Sequence, residues 1–149
     1  MLPCRIILDT NVCLDLFVFQ DIRSHELKQM LKNRVVHAVT REDCHYEWLR
    51  ILAAPPLPLN DICRKRCMAE YDAVISCQHF EKRNYVALPV CKDKDDQKFL
   101  ELAHDAHARF LITKDKALLK LSVKTKQLRL FDIIKPEQSH LISAALKPI

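Results

Sequence analysis

The sequence predicts an α/β fold in which a parallel sheet is sandwiched between helices. Short apolar runs rich in β-branched residues, such as Arg5–Leu8 and Phe110–Ile112, alternate along the chain with segments of helical periodicity. No internal repeat and no linker long enough to divide domains interrupts that alternation. Residues 1–149 therefore read as one domain, long enough to bury a real core.

The elements follow in order. Arg5 to Leu8 suits a buried parallel strand. Asn11 to Phe19 reads as a helix or helical turn. Asp21 to Lys32 is a clearer helix, with Ile22, Leu27, Met30 and Leu31 inward. Val35 to Val39 is a second strand. Thr40-Arg41-Glu42-Asp43 has the pattern of a capping box, and its helix is expected to run to about Leu52. Trp48, Leu49 and Leu52 form that helix's main apolar stripe, with Cys44, Glu47 and Ile51 beside it. Ala54-Pro55-Pro56-Leu57-Pro58 stops it. Asn60 or Asp61 caps a long helix to about Gln78. Val86 to Val90 is expected to be extended, with Pro89 interrupting it. Asp95 or Asp96 opens a helix through about His107, turning Phe99, Leu100, Leu102, Ala103 and Ala106 inward. Phe110 to Ile112 is a third strong strand, and Lys116 to Leu121 a short helix. Leu128 to Phe131 is a last strand. Pro136 suits the first turn of a C-terminal helix.

Composition narrows the function classes. Glycine is absent, where about ten would be usual at roughly 7%. Turns then fall to Asn, Asp, Pro, Ser or Lys, and glycine-rich phosphate loops are excluded. The seven cysteines are odd in number, and several fall at core-facing positions. Neither Cys63 with Cys67 nor His104 with His107 has a partner pair at zinc-finger spacing. Met1-Leu2-Pro3 leads directly into the first strand, with no secretory leader pattern, and no apolar run approaches the ~20 residues of a membrane span. The expectation is a cytoplasmic protein with mostly buried free thiols and no membrane partner. The formal charge of +5 tilts only modestly toward anionic partners. Its distribution is sharper: six basic residues and one acid lie between Lys114 and Arg129.

Four acids carry the functional argument. Asp9 ends the first strand, Glu47 lies within an amphipathic helix, Asp96 opens another helix, and Asp115 follows Phe110-Leu111-Ile112-Thr113. Ligands in parallel α/β sheets bind beyond the carboxyl ends of the strands, which is where Asp9 and Asp115 fall. Carboxylates gathered there repel one another unless a cation sits among them. Mg²⁺ or Mn²⁺ suits such oxygen ligands and can activate water against a phosphodiester. Each acid also has a plainer reading. Asp9 and Asp96 can cap helices, Glu47 can be a surface glutamate, and Asp115 a turn residue. Asn11 and Thr113 offer side-chain oxygens that orient the acids or satisfy turns.

Three segments resemble the PIN-domain family. Ile6-Ile7-Leu8-Asp9-Thr10-Asn11-Val12 is similar to the opening motif of PIN domains. Asp93-Lys94-Asp95-Asp96-Gln97-Lys98-Phe99-Leu100-Glu101-Leu102-Ala103 resembles their third acidic segment, and Leu111-Ile112-Thr113-Lys114-Asp115 the fourth. Glu47 fits the second acidic position with less local signature. The resemblance extends over nearly the whole chain and is nearest to bacterial PIN toxins of toxin–antitoxin systems. It implies a three-layer α/β/α sandwich and metal-dependent endoribonuclease activity. Asp9, Glu47, Asp96 and Asp115 would be the metal-binding quartet, with Asp93 and Asp95 as supporting acids and Thr113 as the hydroxyl residue before the last acid. Many relatives have glycine at the position of Lys114 and proline at that of Lys94. Haloacid-dehalogenase-type phosphatases fit less well, because they need an aspartate where Asn11 stands. Response-regulator receivers need an acidic pair that Met1 to Arg5 lacks.

RNA is the substrate that the resemblance implies. Lys114, Lys116, Lys120 and Lys124 are candidates for its basic track. Tyr46 and Trp48 lie near Glu47, although Trp48 reads better as core. A toxin role further implies a cognate antitoxin and a homo-oligomer, most simply a dimer, with the helices at 21–32 and 60–78 as candidate contact faces. The alternative from a different class is a non-catalytic module that keeps the fold and tethers RNA or a protein.

Overall fold

The structure, a computed structural model, describes residues 4–55, 57 and 59–147. Met1-Leu2-Pro3, and the Pro56 and Pro58 expected to help stop the third helix, lie outside the described residues. Five parallel strands form one sheet in the order β3-β2-β1-β4-β5. They are β1 (Arg5–Leu8), β2 (His37–Thr40), β3 (Ile75–Cys77), β4 (Phe110–Ile112) and β5 (Asp132–Ile134). Eight α-helices are described: α1 (Thr10–Leu14), α2 (His25–Lys32), α3 (Glu42–Ala53), α4 (Asp61–Val74), α5 (Gln97–Asp105), α6 (Lys116–Leu119), α7 (Ser122–Gln127) and α8 (His140–Leu146). The chain builds outward from β1 to β3 and then returns to lay β4 on the other side of β1. That reversal makes β1 and β4 the switch point of the sheet, the place where parallel α/β sheets bind ligands beyond their carboxyl ends.

Side chains alternate across β1 and divide the core. Ile6 and Leu8 face Phe17, Leu27, Trp48 and Tyr71 on one side. Ile7 faces Phe99, Leu100, Leu102 and Leu118 on the other. Two apolar faces covered by helices give the three-layer α/β/α sandwich, because a sheet buried on both sides needs cover on both. Trp48 is 1% exposed and stacks on Tyr71, with ring centroids 4.9 Å apart, so it is core and not an RNA platform. Tyr46 stays 65% exposed.

Several boundaries differ from expectation. The capping box does not form. Thr40 remains paired in β2, so the extended Arg41 precedes α3 and Asp43 accepts the Cys44 amide itself. The helix expected to reach Gln78 ends at Val74. Ile75 is extended and pairs with Ala38, and the β-branched Val74-Ile75 step completes the open side of β2. Val86 to Val90 is not a strand: Leu88 N closes a turn on Tyr85 O, and Val86 and Val90 are exposed. Leu128 to Phe131 is instead the exit from α7, a helix the sequence reading did not resolve, and β5 begins at Asp132. Ile22 points outward from a short 3₁₀ turn preceding α2. Pro136 opens a 3₁₀ turn leading into α8. The glycine-free turns also use unexpected residues: Gln20, Arg34, His107 and Arg129 adopt positive φ. Gln20 ends a π-helical turn, and His107 and Arg129 lie just beyond helix ends, where a left-handed residue satisfies free carbonyls. Among the described residues, no helix is long and apolar enough to cross a membrane.

Candidate metal centre

Asp9 leaves β1 with its amide still bonded to Ile112 O at 2.9 Å, which ties the β1 exit to β4. It precedes α1 in an extended conformation, yet its side chain caps nothing. Instead the carboxylate is buried at 4% exposure and accepts from Thr113 Oγ1 at 2.7 Å. The same Thr113 oxygen accepts from the Asp115 amide at 3.0 Å. One fully buried hydroxyl therefore joins the first and last acids, donating to one and accepting from the other. Asn11 reinforces this junction, its Oδ1 accepting from Lys114 N at 3.4 Å.

Asp115 serves two purposes. Its Oδ1 accepts from Ala117 N at the start of α6. Its Oδ2 is buried and finds no donor. The group that approaches is the Asp96 carboxyl, which can donate only when protonated. Potential ligand atoms of Asp96, Asp115 and Cys91 lie within 4.8 Å of one another. Asp93 is not in this group: it caps the turn before α5 by accepting from Asp95 N at 3.0 Å. Asp95 is exposed and contributes its carbonyl to Lys98 Nζ at 2.7 Å. Of the three neighbouring acids, the fold turns Asp96 toward Asp115.

Glu47 projects from α3 across the cleft. Its Oε2 accepts from the Thr10 hydroxyl and its Oε1 from Lys98 Nζ at 2.8 Å. Only 15% of its side chain is exposed, so it is not an ordinary surface glutamate. Burial opposes charge on Lys98, but the Glu47 carboxylate outweighs it and holds the lysine pKa above its ordinary value.

The electrostatics register crowding. Burial pushes Asp9 up to about 6 against the Thr113 hydrogen bond, and the charges of Glu47 and Asp115 add to the rise. Burial, the Asp115 contact and the charges of Asp9, Asp115 and Asp93 push Asp96 up to about 8. Both carboxyls keep their protons to higher pH than free acids do, because burial and the neighbouring carboxylates disfavour their charge. A donor-free buried oxygen beside crowded acids fits a divalent cation with oxygen ligands. The Cys91 thiol, raised by burial, stays protonated and offers little to a hard ion.

Three contributors were not read from the sequence. Lys98 and Thr10 flank recognised acids, and the Asp95-to-Lys98 spacing on a helix start was the available signal. Gln97 binds Cys91 N at 2.6 Å and Pro89 O at 3.1 Å, which folds the preceding loop over Asp96. No local pattern announces that contact. The expected lysines are placed differently from one another. Lys114 is bound to the buried Asp15 at 2.6 Å, whereas Lys116 and Lys120 are exposed along α6 and its exit.

The fold resembles a chain in the crystal structure of VapBC2 from Rickettsia felis bound to a DNA fragment from their promoter. Identity is 11%, with 88% of this chain and 98% of that chain covered at a TM-score of 0.52, a likeness of fold alone. A search among curated proteins finds no match. A family profile for the PIN domain matches residues 5–117, from β1 through the Asp115 turn. That span is well over half of the sequence, and the chain belongs to the PIN-domain family.

Proposed function

We propose that this protein is a metal-dependent endoribonuclease, the toxin of a toxin–antitoxin pair. The observation that carries the proposal is the donor-free Asp115 Oδ2 among acids that share one cleft. PIN domains are generally nucleases, and Asp9, Glu47, Asp96 and Asp115 would hold Mg²⁺ or Mn²⁺. The ion, when bound, supplies a more acidic water and neutralises charge building on the phosphate.

The chain's own groups do the positioning. Thr113 fixes the Asp9 oxygen and the Asp115 backbone together, so the two carboxylates keep their separation. Thr10 and Lys98 hold Glu47 from two sides and leave it no freedom to rotate away. Hydrolysis joins a water oxygen to phosphorus and breaks a phosphorus–ribose oxygen bond, whose oxygen leaves with a proton. Lys116 and Lys120, exposed beyond Asp115, bind neighbouring phosphates. A non-catalytic module would have no use for the electrostatic strain among these acids.

The test is cleavage of single-stranded RNA with Mg²⁺, Mn²⁺ or EDTA. Cleavage with either ion, lost in EDTA and in Asp115→Asn, supports the reading. A folded protein that cuts no RNA with either ion contradicts it. The toxin role draws on the family resemblance and on the fold shared with a VapBC2 chain. It predicts that the product of an adjacent small reading frame co-purifies with this protein and suppresses cleavage. It also predicts a dimer by analytical ultracentrifugation.

A further inference from the structure

A hollow of about 420 Å³ opens at the amino ends of β4 and β5, the edge opposite the acidic cluster, and none of the four acids lines it. Arg83, Arg109, Lys126 and Arg129 line it, with Asp132 as the acid among them. Arg83 is held in place by His104 O at 2.8 Å and His107 Nδ1 at 3.2 Å. Among the described residues, none of the four cations lies within ion-pair distance of a carboxylate. The plain explanation is helix capping, since α5, α7 and α8 all end near this edge. Arg83 binds the last turn of α5, and Arg109 reaches Ala145 O of α8 at 3.4 Å. Magnitudes decide between the readings. A helix end carries about half a negative charge, so three ends offset at most ~1.5 of the net three positive charges. An excess of at least about one positive charge remains, and it faces a concave surface.

The basic run connects this hollow to the cleft. Residues 114–129 begin beside Asp115 at the carboxyl edge and end at Arg129 in the hollow. Lys116, Lys120, Lys124, Lys126 and Arg129 are exposed along that path. From Arg109 to Asp115 is six residues, so the two ends lie at most about 20 Å apart.

We propose that the hollow lined by Arg83, Arg109, Lys126 and Arg129 is a second RNA site, gripping backbone phosphates of the strand that leaves the acidic cleft. The proposal rests on the ribonuclease reading. It assigns the far edge a role in affinity for long substrates, because the acidic cleft by itself repels phosphates. Recognition is of phosphodiester charge and not of bases, since the lining is cationic and its two phenylalanines, Phe110 and Phe131, are buried in the core and offer no stacking platform.

The experiment is fluorescence anisotropy with labelled single-stranded RNA in EDTA, so that no cutting occurs. Two probes are used, one of about 20 nucleotides and one of about four, the short end of single-strand site sizes. The double variant Lys126→Gln/Arg129→Gln is compared with Lys28→Gln/Lys65→Gln, which removes equal charge from α2 and α4. The hollow variant is expected to bind the long RNA on the order of ten-fold more weakly, and its log–log salt slope falls by about 1.4 for two lost phosphate contacts. Its affinity for the short RNA is unchanged, and the α2/α4 variant resembles wild type. Equal weakening in both variants reduces the effect to net charge and overturns the site. Wild-type affinity of the hollow variant for the long RNA also overturns it. If wild type cuts RNA with metal while the hollow variant binds normally, this proposal alone fails; if wild type neither binds nor cuts RNA, the ribonuclease reading fails with it.

Discussion

Replacing Asp9 with Asn removes one negative charge while keeping an oxygen that can accept from Thr113 Oγ1. The structure gives the consequence a size. Asp9 sits at about 6 in the folded protein, against 3.8 for the unperturbed group. That difference corresponds to about 3 kcal/mol of strain once the group is ionised. The sign follows from linkage. The folded state holds the proton more tightly than the unfolded chain, so this stability is fully present below pH 3.8 and is lost as pH rises to about 6. Asp96, raised to about 8, acts in the same direction over a window reaching higher pH. In EDTA at pH 8, Asp9→Asn is therefore expected to unfold at a higher temperature than wild type. A gain of about 3 kcal/mol corresponds to roughly 6–12 °C in a chain of this length. Divalent ion should reverse the ranking. At about a thousand times its Kd it returns about 4.1 kcal/mol to wild type, more than the variant's lead, and little to the variant, which lacks one of the charged ligands. Calorimetry at pH 5 and pH 8, with EDTA and with Mn²⁺, reads all four conditions. A variant that is less stable than wild type at pH 8 in EDTA, together with no metal-dependent shift in wild type, would refute the electrostatic reasoning.

Three other perturbations probe separate parts of the account. Lys98→Met releases Glu47 on one side and should lower the RNA cleavage rate by about 10-fold or more, with Lys98→Arg recovering part of it; equal rates in all three proteins would remove Lys98 from the positioning of Glu47. Thr113→Val keeps the shape but strands the Asp115 amide and an Asp9 oxygen, and urea titration should show a loss of about 1–3 kcal/mol. Trp48→Ala empties the space between Phe17 and Tyr71 and should cost about 3–5 kcal/mol by the same titration, while a merely peripheral tryptophan would cost far less.

What was legible in the sequence was what depends on local pattern. β1 and β4 read directly, because buried parallel strands are short apolar runs. The inward face of α5 read directly, because Phe99, Leu100, Leu102 and Ala103 recur at helical spacing and Ala106 continues the stripe at its C-cap. Asp9 and Asp115 could be placed beside each other because strand ends in a parallel sheet share an edge. The failures share a different cause. Ile75–Cys77 carries only the β-branched Val74-Ile75 step as a strand signal, too short to end a helix on paper, and it becomes β3 by pairing with the edge of β2. The 128–131 segment has the residues of a strand but follows a helix whose last turn needs a left-handed exit at Arg129. At the site, Thr10 and Lys98 lie beside recognised acids, but their role could not be read locally because it comes from Glu47, more than thirty residues away from either. Cys91 reaches Asp96 through a glutamine that clamps a loop, a contact that no spacing rule encodes.

The most direct test is a crystal of the protein soaked in Mn²⁺ and measured at the manganese absorption edge. The account predicts an anomalous peak about 2.1 Å from Asp115 Oδ2, with a carboxylate oxygen of Asp96 in the same coordination sphere. A well-ordered crystal with no peak in this cleft, or with manganese bound only elsewhere, would contradict it.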